Sequence, residues 1–369
     1  MKIALVHDFL REYGGAERVV EAMHEIWPDA PLYTSFVDWE RLGSHAKRFR
    51  SWDIRPSWVQ NNWLVKKFHS PLRFLAPKIW ESFDLSEYDV VVSSSGWFIC
   101  RGVRVQKPTV HICYIHHPPR NLYGYATGSL SEKYWLVKLY ATFINFFMRQ
   151  YDFATAQRVD YFVANSKEVA RRVQKFYRRE SAVIYPPVSV SVKFLGVKKS
   201  KAEYFLSVGR LMWAKRIDVI IEAANKLSLP LKVVGAGPEE EKLRAMAGPT
   251  VEFLGPVSDD ELARLYQGAQ ATIFSALDED FGIVPVESQA AGTPVITLAQ
   301  GGVLETVIDG KTGVFFTKPE VESIIEGIQR FKKLSKDTEW ENACRHQAEK
   351  FGKEIFQNKL KQFVMSHAR

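Results

Sequence analysis

Between Ala271 and Leu298 the chain reads ATIFSALDEDFGIVPVESQAAGTPVITL, two short apolar runs with a helical pattern between them. Runs as short and unalternating as ATIFSA and PVITL suit strands buried on both faces, and VPVESQAAG suits a crossover helix with Pro285 in its first turn. Strand, helix and strand in that order call for a parallel sheet. The rhythm recurs along the chain. KIALVH, DVVVSSS, TVHICYIHH and VDYFVANS read as strands in the first half, with helices at GGAERVVEAMHEI, around KYWLVKLYATFINFFMRQYD and at SKEVARRVQKFY. YFLSVG, LKVVGAG, VEFLG, ATIFSA and PVITL repeat it in the second half, each followed by a helical pattern. The spacing predicts an α/β protein of two doubly wound units, for which 369 residues suffice. Pro186 and Pro187 open the stretch IYPPVSVSVKFLGVKKSKAE, where the periodicity breaks, and mark it as the candidate linker.

In a parallel α/β sheet ligands gather beyond the carboxyl ends of the strands. Glu279 falls on such a strand-to-helix loop, and Glu287 lies about one turn inside the helix that follows. The amides of Gly282, Ile283 and Val284 begin that helix, where N–H groups lack intrahelical acceptors and favour an anion. Upstream, YFLSVG runs into RLMWAKRIDVIIEAANKL, which puts Arg210 and Lys215 just past a strand end and ahead of a helix that buries Ile217, Ile220 and Ile221. A planar guanidinium and a compact ammonium five residues apart suit a diphosphate and its developing charge. Taken alone, the two glutamates also fit a helix-entry device, since acids favour helix N-termini.

GRLMWAK followed by EDFGIVPVE resembles the C-terminal half of a retaining glycosyltransferase of the GT-B fold, in the GT4 family that includes bacterial mannosyltransferases and sucrose synthase. The resemblance spans nearly the whole chain. It implies two Rossmann-like domains facing a central cleft: an acceptor-side domain over residues 1–190, a nucleotide-sugar domain over 191–345, and a helix over 346–369 that crosses back to the first. It further implies transfer of a sugar, with retention, from a nucleotide-diphosphate sugar to a hydroxyl of a glycan or lipid-linked acceptor. Arg210, Lys215 and the loop Phe281, Gly282, Ile283, Val284 would hold the diphosphate, with no metal ion and no other cofactor expected. Glu287 would bind the ribose, the Val257 backbone the base, and Glu279 the donor sugar. His116 would reach that sugar from the opposite domain, although His117 stands where the family usually has threonine. Attack from the front face with the departing phosphate as base is expected. The family members it looks most like suggest GDP-mannose, with a UDP-sugar nearly as well supported.

Each assignment has a plainer rival. Gly14 and Gly15, on the first strand-to-helix loop, let a ligand approach the backbone and can take conformations closed to other residues, but turns use glycine freely. A dinucleotide-binding dehydrogenase is disfavoured because neither this loop nor VGAGPEEE supplies the third glycine of its fingerprint. His116 and His117 point opposite ways at a strand end, so one at most faces a ligand and a shared metal is not expected; a core histidine satisfied by a carbonyl is the alternative. Asn165 reads as a strand end or helix cap, Ser258 as an N-cap with Glu261 completing a capping box, and Glu305 carries no assigned role. Two functions compete with glycosyl transfer: a sugar-nucleotide epimerase of the same fold, and a non-catalytic protein that binds glycan or a membrane surface.

Charge is concentrated in one place. From Arg41 to Trp80 nine basic residues face the single acid Asp53, a net +8 that equals the net charge of the entire chain. Phe49, Trp52, Trp58, Trp63, Phe68, Phe74 and Trp80 are interleaved with them. Such a mixture fits an anionic membrane interface, or else a core flanked by solvated cations, while the absence of a recognised nucleic-acid motif places RNA or DNA third. No apolar run approaches the ~20 residues of a membrane span. MKIALVHDF does not resemble a cleavable secretory signal, and Cys100, Cys113 and Cys344 are too scattered for a disulfide framework or zinc knuckle. The expectation is a cytoplasmic protein, with a peripheral place on the inner face of the cell membrane as the alternative.

Overall fold

A computed structural model describes residues 1–127, 135–188, 203–335 and 339–368. Contacts divide the chain into two units. One takes Met1–Tyr125, Ser129–Pro187 and Glu354–Arg369; the other takes Ala126–Gly128 and Val188–Lys353. Most of the candidate linker lies outside the described residues.

The first unit is built on seven strands: β1 (Ile3–His7), β2 (Leu32–Thr34), β3 (Ile54–Pro56), β4 (Val90–Ser95), β5 (Val110–Ile115), β6 (Tyr161–Ala164) and β7 (Ser181–Val183). All pair in parallel, in the order β3-β2-β1-β4-β5-β6-β7. Alternate residues of one strand feed two cores, as a sheet covered on both faces requires. Leu5, Val92 and Ile112 pack with Val20 of the Gly15–Ile26 helix and with Phe356, Leu360 and Val364 of the Lys353–His367 helix. Val6, Val91 and Tyr33 pack on the other side with Trp80 and Phe98.

The second unit holds β8 (Tyr204–Val208), β9 (Leu231–Val234), β10 (Val251–Gly255), β11 (Ala269–Phe274), β12 (Val295–Leu298) and β13 (Gly313–Phe316). They too are all parallel, in the order β10-β9-β8-β11-β12-β13. Phe205, Val233, Ile273, Ile296 and Val314 meet Ile220 of the Ile217–Leu227 helix and Ile324 and Phe331 of the Val321–Leu334 helix. The Trp340–Glu349 helix stays with this unit.

In both sheets the winding reverses between the first strand and the fourth, at β1/β4 and at β8/β11. That topological switch point is where an open α/β sheet leaves a crevice for a ligand. The α/β class and the two doubly wound sheets expected from the sequence are therefore present. Four strands escaped the sequence reading: β2, β3, β7 and β13, of three or four residues each.

Candidate functional site at the carboxyl edges of the sheets

Beyond β8 and β11 the second unit gathers its charged candidates. The loop after β8 turns through a short 3-10 helix, Trp213–Lys215, and the loop after β11 runs from Ser275 to Gly282 before the Ile283–Ala290 helix. Backbone ties hold the two loops together: Leu277 N–H donates to Ala214 O at 2.8 Å, and Ser275 Oγ lies 3.0 Å from Lys215 O and 2.7 Å from Arg216 O. Lys215 Nζ then meets Glu279 Oε2 at 2.7 Å, with the two side chains 25% and 15% exposed. The same ammonium lies 5.4 Å from the centroid of Phe274. Two residues 64 positions apart and read separately from the sequence are thus partners. Arg210 sits exposed just past Gly209.

Glycine is required in this loop. Gly282 has φ +90 at the helix start, a region that L side chains rarely enter, and an added Cβ would stand 3.0 Å from Val303 Cγ1. By helix geometry the first amides that follow, those of Ile283 and Val284, have no intrahelical acceptor. Phe281 is buried and stacks edge-on against Phe351 at 5.4 Å. Behind the loop, Gly302 N–H donates to Glu279 O at 2.9 Å, and a Cβ on Gly301 would come 2.3 Å from that same carbonyl. Glu287 is half-buried in the helix and accepts from Tyr266 Oη at 3.1 Å. Val257 is half-buried in the β10 loop, and Ser258 caps the next helix by accepting from Glu261 N.

In the first unit the switch point is polar but enclosed. Asp8, just after β1, accepts from the amides of Gly96, Phe98 and Cys100 at 2.9, 3.1 and 2.9 Å and so fixes the loop after β4. His116 follows β5 and is buried, with Nε2 2.8 Å from Ser94 Oγ. His117 Nδ1 lies 3.0 Å from Pro118 O. Gly14 caps the Gly15–Ile26 helix with φ −125, and its amide donates to Glu17 Oε2 at 2.9 Å. Contrary to the sequence expectation, neither Gly14 nor Gly15 has a positive φ, so what remains is the close backbone approach that a missing side chain allows. Ser166, rather than Asn165, caps the Lys167–Tyr177 helix. Among the described residues no group of three or more His, Cys, Asp or Glu is arranged to hold a metal ion.

Sequence reasoning missed the roles of Asp8, Ser94 and Tyr266, and read Gly301 and Gly302 only as a loop near the expected nucleotide. A buried polar run, SSS at the end of β4, was the available signal for Ser94.

The basic aromatic stretch divides. Phe49 and Trp80 are fully buried, whereas Trp63, Leu64, Phe68 and Phe74 are exposed. The exposed part is tied to the Trp135–Arg158 helix, where Tyr140 Oη donates to Pro71 O at 2.6 Å and Arg73 Nη2 to Asn145 Oδ1 at 2.8 Å. That helix itself exposes Trp135 (73%), Leu139 (63%), Phe143 (63%) and Phe147 (52%). Among the described residues, no helix is long and apolar enough to cross a membrane.

Residues 193–351 match the family model described as glycosyl transferases group 1, and residues 13–192 match that of glycosyltransferase family 4. The D-inositol 3-phosphate glycosyltransferase of Mycobacterium tuberculosis is 30% identical over 198 residues, 47% of this chain and 41% of that protein. The match therefore spans about two fifths of the curated relative's length. Among solved structures, the Anabaena protein HepE in complex with UDP and glucose superposes with a TM-score of 0.71 at 19% identity, covering 99% of this chain and 100% of that one. Sucrose-phosphate synthase from Thermosynechococcus elongatus gives 0.69 at 17% identity, with 99% of both chains covered. At these identities the structural likeness speaks to the fold.

Proposed function

This chain belongs to the group 1 glycosyltransferases, which between their two models account for residues 13–351, and from that premise we propose that its C-terminal sheet receives the diphosphate of a nucleotide sugar. The observation that carries the reading is the Lys215–Glu279 pair at the β8/β11 switch point, beside the start of the Ile283–Ala290 helix. A cation held by a carboxylate, next to amides that favour an anion, is suited to exchange its partner for phosphate oxygens. Lys215, Arg210 and the amides from Gly282 to Val284 neutralise the diphosphate as it departs. Glu279, released from Lys215, takes hydroxyls of the donor sugar. Glu287, aligned by Tyr266, takes the ribose hydroxyls, and the Val257 backbone faces the base. His116 contacts the donor sugar. Because cations supply the charge that a divalent ion would otherwise supply, transfer survives a chelator, and the product keeps the donor's anomeric configuration.

The test has separable arms. Thermal-shift measurements with GDP-mannose and with UDP-glucose, the latter bound in a solved complex of the Anabaena protein, identify the donor, since a ligand at ~100 times its Kd stabilises by ~2.7 kcal/mol. Donor alone must yield no isomerised nucleotide sugar, which excludes the epimerase. Arg210→Ala should lower transfer roughly 100-fold with folding intact; unchanged turnover removes Arg210 from the mechanism.

A second reading concerns where the acceptor is met. The exposed aromatic face of the Trp135–Arg158 helix, joined to Trp63, Phe68 and Phe74 among Lys66, Lys67, Arg73 and Lys78, fits the headgroup layer of an anionic bilayer, in keeping with a lipid-linked acceptor. Anionic vesicles should carry the protein in flotation, and Phe143→Ser with Phe147→Ser should abolish that. Failure to float with anionic vesicles, or a dimer on sizing that these two changes dissolve, overturns it.

A further inference from the structure

Four buried polar side chains under the first switch point are connected. Gly14 N–H donates to Glu17 Oε2 at 2.9 Å, and Glu17 Oε1 stands 3.7 Å from His7 Nε2. His7 Nδ1 lies 3.2 Å from Ser94 O and 3.2 Å from Ser94 Oγ, and Ser94 Oγ lies 2.8 Å from His116 Nε2. All four residues are buried, Ser94 completely. The proton positions follow from donors and acceptors. A carbonyl oxygen only accepts, so a ring nitrogen 3.2 Å from Ser94 O must carry a hydrogen: His7 Nδ1 is the donor, shared between Ser94 O and Ser94 Oγ. Ser94 Oγ then already accepts from His7, and the acceptor in reach of its own proton, among the described contacts, is His116 Nε2. A buried hydroxyl left without an acceptor is costly, because its desolvation goes uncompensated.

We infer that Ser94, held by His7, is a positioning residue that fixes His116 in the tautomer protonated on Nδ1, so that His116 meets its substrate oxygen as a donor and not as a base. The consequence for mechanism rests on the reading that His116 contacts the donor sugar; the tautomer itself does not. A neutral imidazole offering N–H to a sugar hydroxyl or phosphate oxygen stabilises negative charge without competing for the acceptor's proton. The chain also ends on the Gly14 amide, so the glycine loop and His116 share one rigid support.

The full chain labelled with 15N-histidine tests this without any substrate. Long-range proton–nitrogen correlation, with His116 assigned by its loss in His116→Gln, should show Nε2 bare and Nδ1 protonated. His7→Asn, whose amide replaces the Nδ1–H donor, should keep that pattern. Ser94→Ala should shift His116 toward the other tautomer and lower kcat at least roughly 10-fold with the donor KM little changed, and Ser94→Thr, which restores the hydroxyl, should recover the pattern. A protonated Nε2 in the unmodified chain, or a tautomer unmoved by Ser94→Ala, overturns the proposal. Glycosyl transfer that is absent while the Nδ1–H tautomer is present counts against the proposed activity and leaves this inference standing.

Discussion

The β1/β4 edge of the first unit and the β8/β11 edge of the second occupy the same point of the same winding order, and they are furnished in opposite ways. At the first, His7, Asp8, Ser94 and His116 are buried and bonded to one another or to loop amides. At the second, Arg210 is exposed, and Lys215 and Glu279 are half-buried partners. Burial makes the first edge rigid, because each polar group there would be costly to unpair. Partial exposure makes the second exchangeable, because water and salt keep such an ion pair weak. The winding decides where a ligand can sit, and the loop residues decide what it meets.

The strongest blow to that contrast would be a Lys215–Glu279 pair that serves only the fold. If it is exchangeable, Lys215→Ala lowers transfer by roughly 10²–10³-fold, as loss of a group facing developing charge does. Unfolding free energy changes by only about 0–1 kcal/mol, the usual worth of a solvent-reached pair. Glu279→Gln in both backgrounds closes the cycle, with the two losses coupled and not additive. A large fall in stability with transfer tracking it would make the pair structural.

Acid should distinguish the units next. Burial holds His69 and His111 down to about 4, with the Lys66 carbonyl opposing at His69 and Asp160 opposing at His111. The unfolded chain binds a proton at each near pH 6.5 and the folded chain near 4, so between those values the unfolded state holds more protons and stability rises with pH. The stabilisation is complete above about pH 6.5 and is lost as pH falls toward 4, by up to about 3 kcal/mol for His111. The second unit's one histidine, His346, is 79% exposed. Amide exchange followed from pH 7 to 4.5 should therefore show β4 and β5 losing protection before β11 and β12. His111→Asn should flatten the slope, and equal loss in both sheets would break the comparison.

How far the sequence reaches is visible in these same residues. The apolar runs around β1, β4, β5, β11 and β12 announce themselves because both faces are buried. β2, β3 and β7 span three residues each, too few to set up a period, and gain their place from neighbouring strands. At the site, the acids and cations were legible as types on strand-to-helix loops, but not the approach of Lys215 to Glu279 across 64 positions, which only the sheet order produces. Tyr266 looks like any apolar helix residue until its hydroxyl meets Glu287. Gly301 and Gly302 read as a loop near the expected nucleotide, and their purpose, letting two loop backbones touch, needs the third dimension.

Glycine gives the finest comparison, since both edges begin a helix behind one. At Gly282 the backbone has φ +90 and a Cβ would stand 3.0 Å from Val303, so Gly282→Ala should cost about 1–2 kcal/mol in urea unfolding. At Gly14 the backbone is extended, with φ −125, and a Cβ meets nothing nearer than Glu17 Oε2 at 3.4 Å. Gly14→Ala should then change stability by less than about 0.5 kcal/mol. If a ligand comes against the bare Gly14 backbone, the added methyl appears as a raised donor KM in a protein that folds normally. Should Gly14→Ala bind donor as well as the parent, that glycine is a turn residue and the first edge acts through His116 alone.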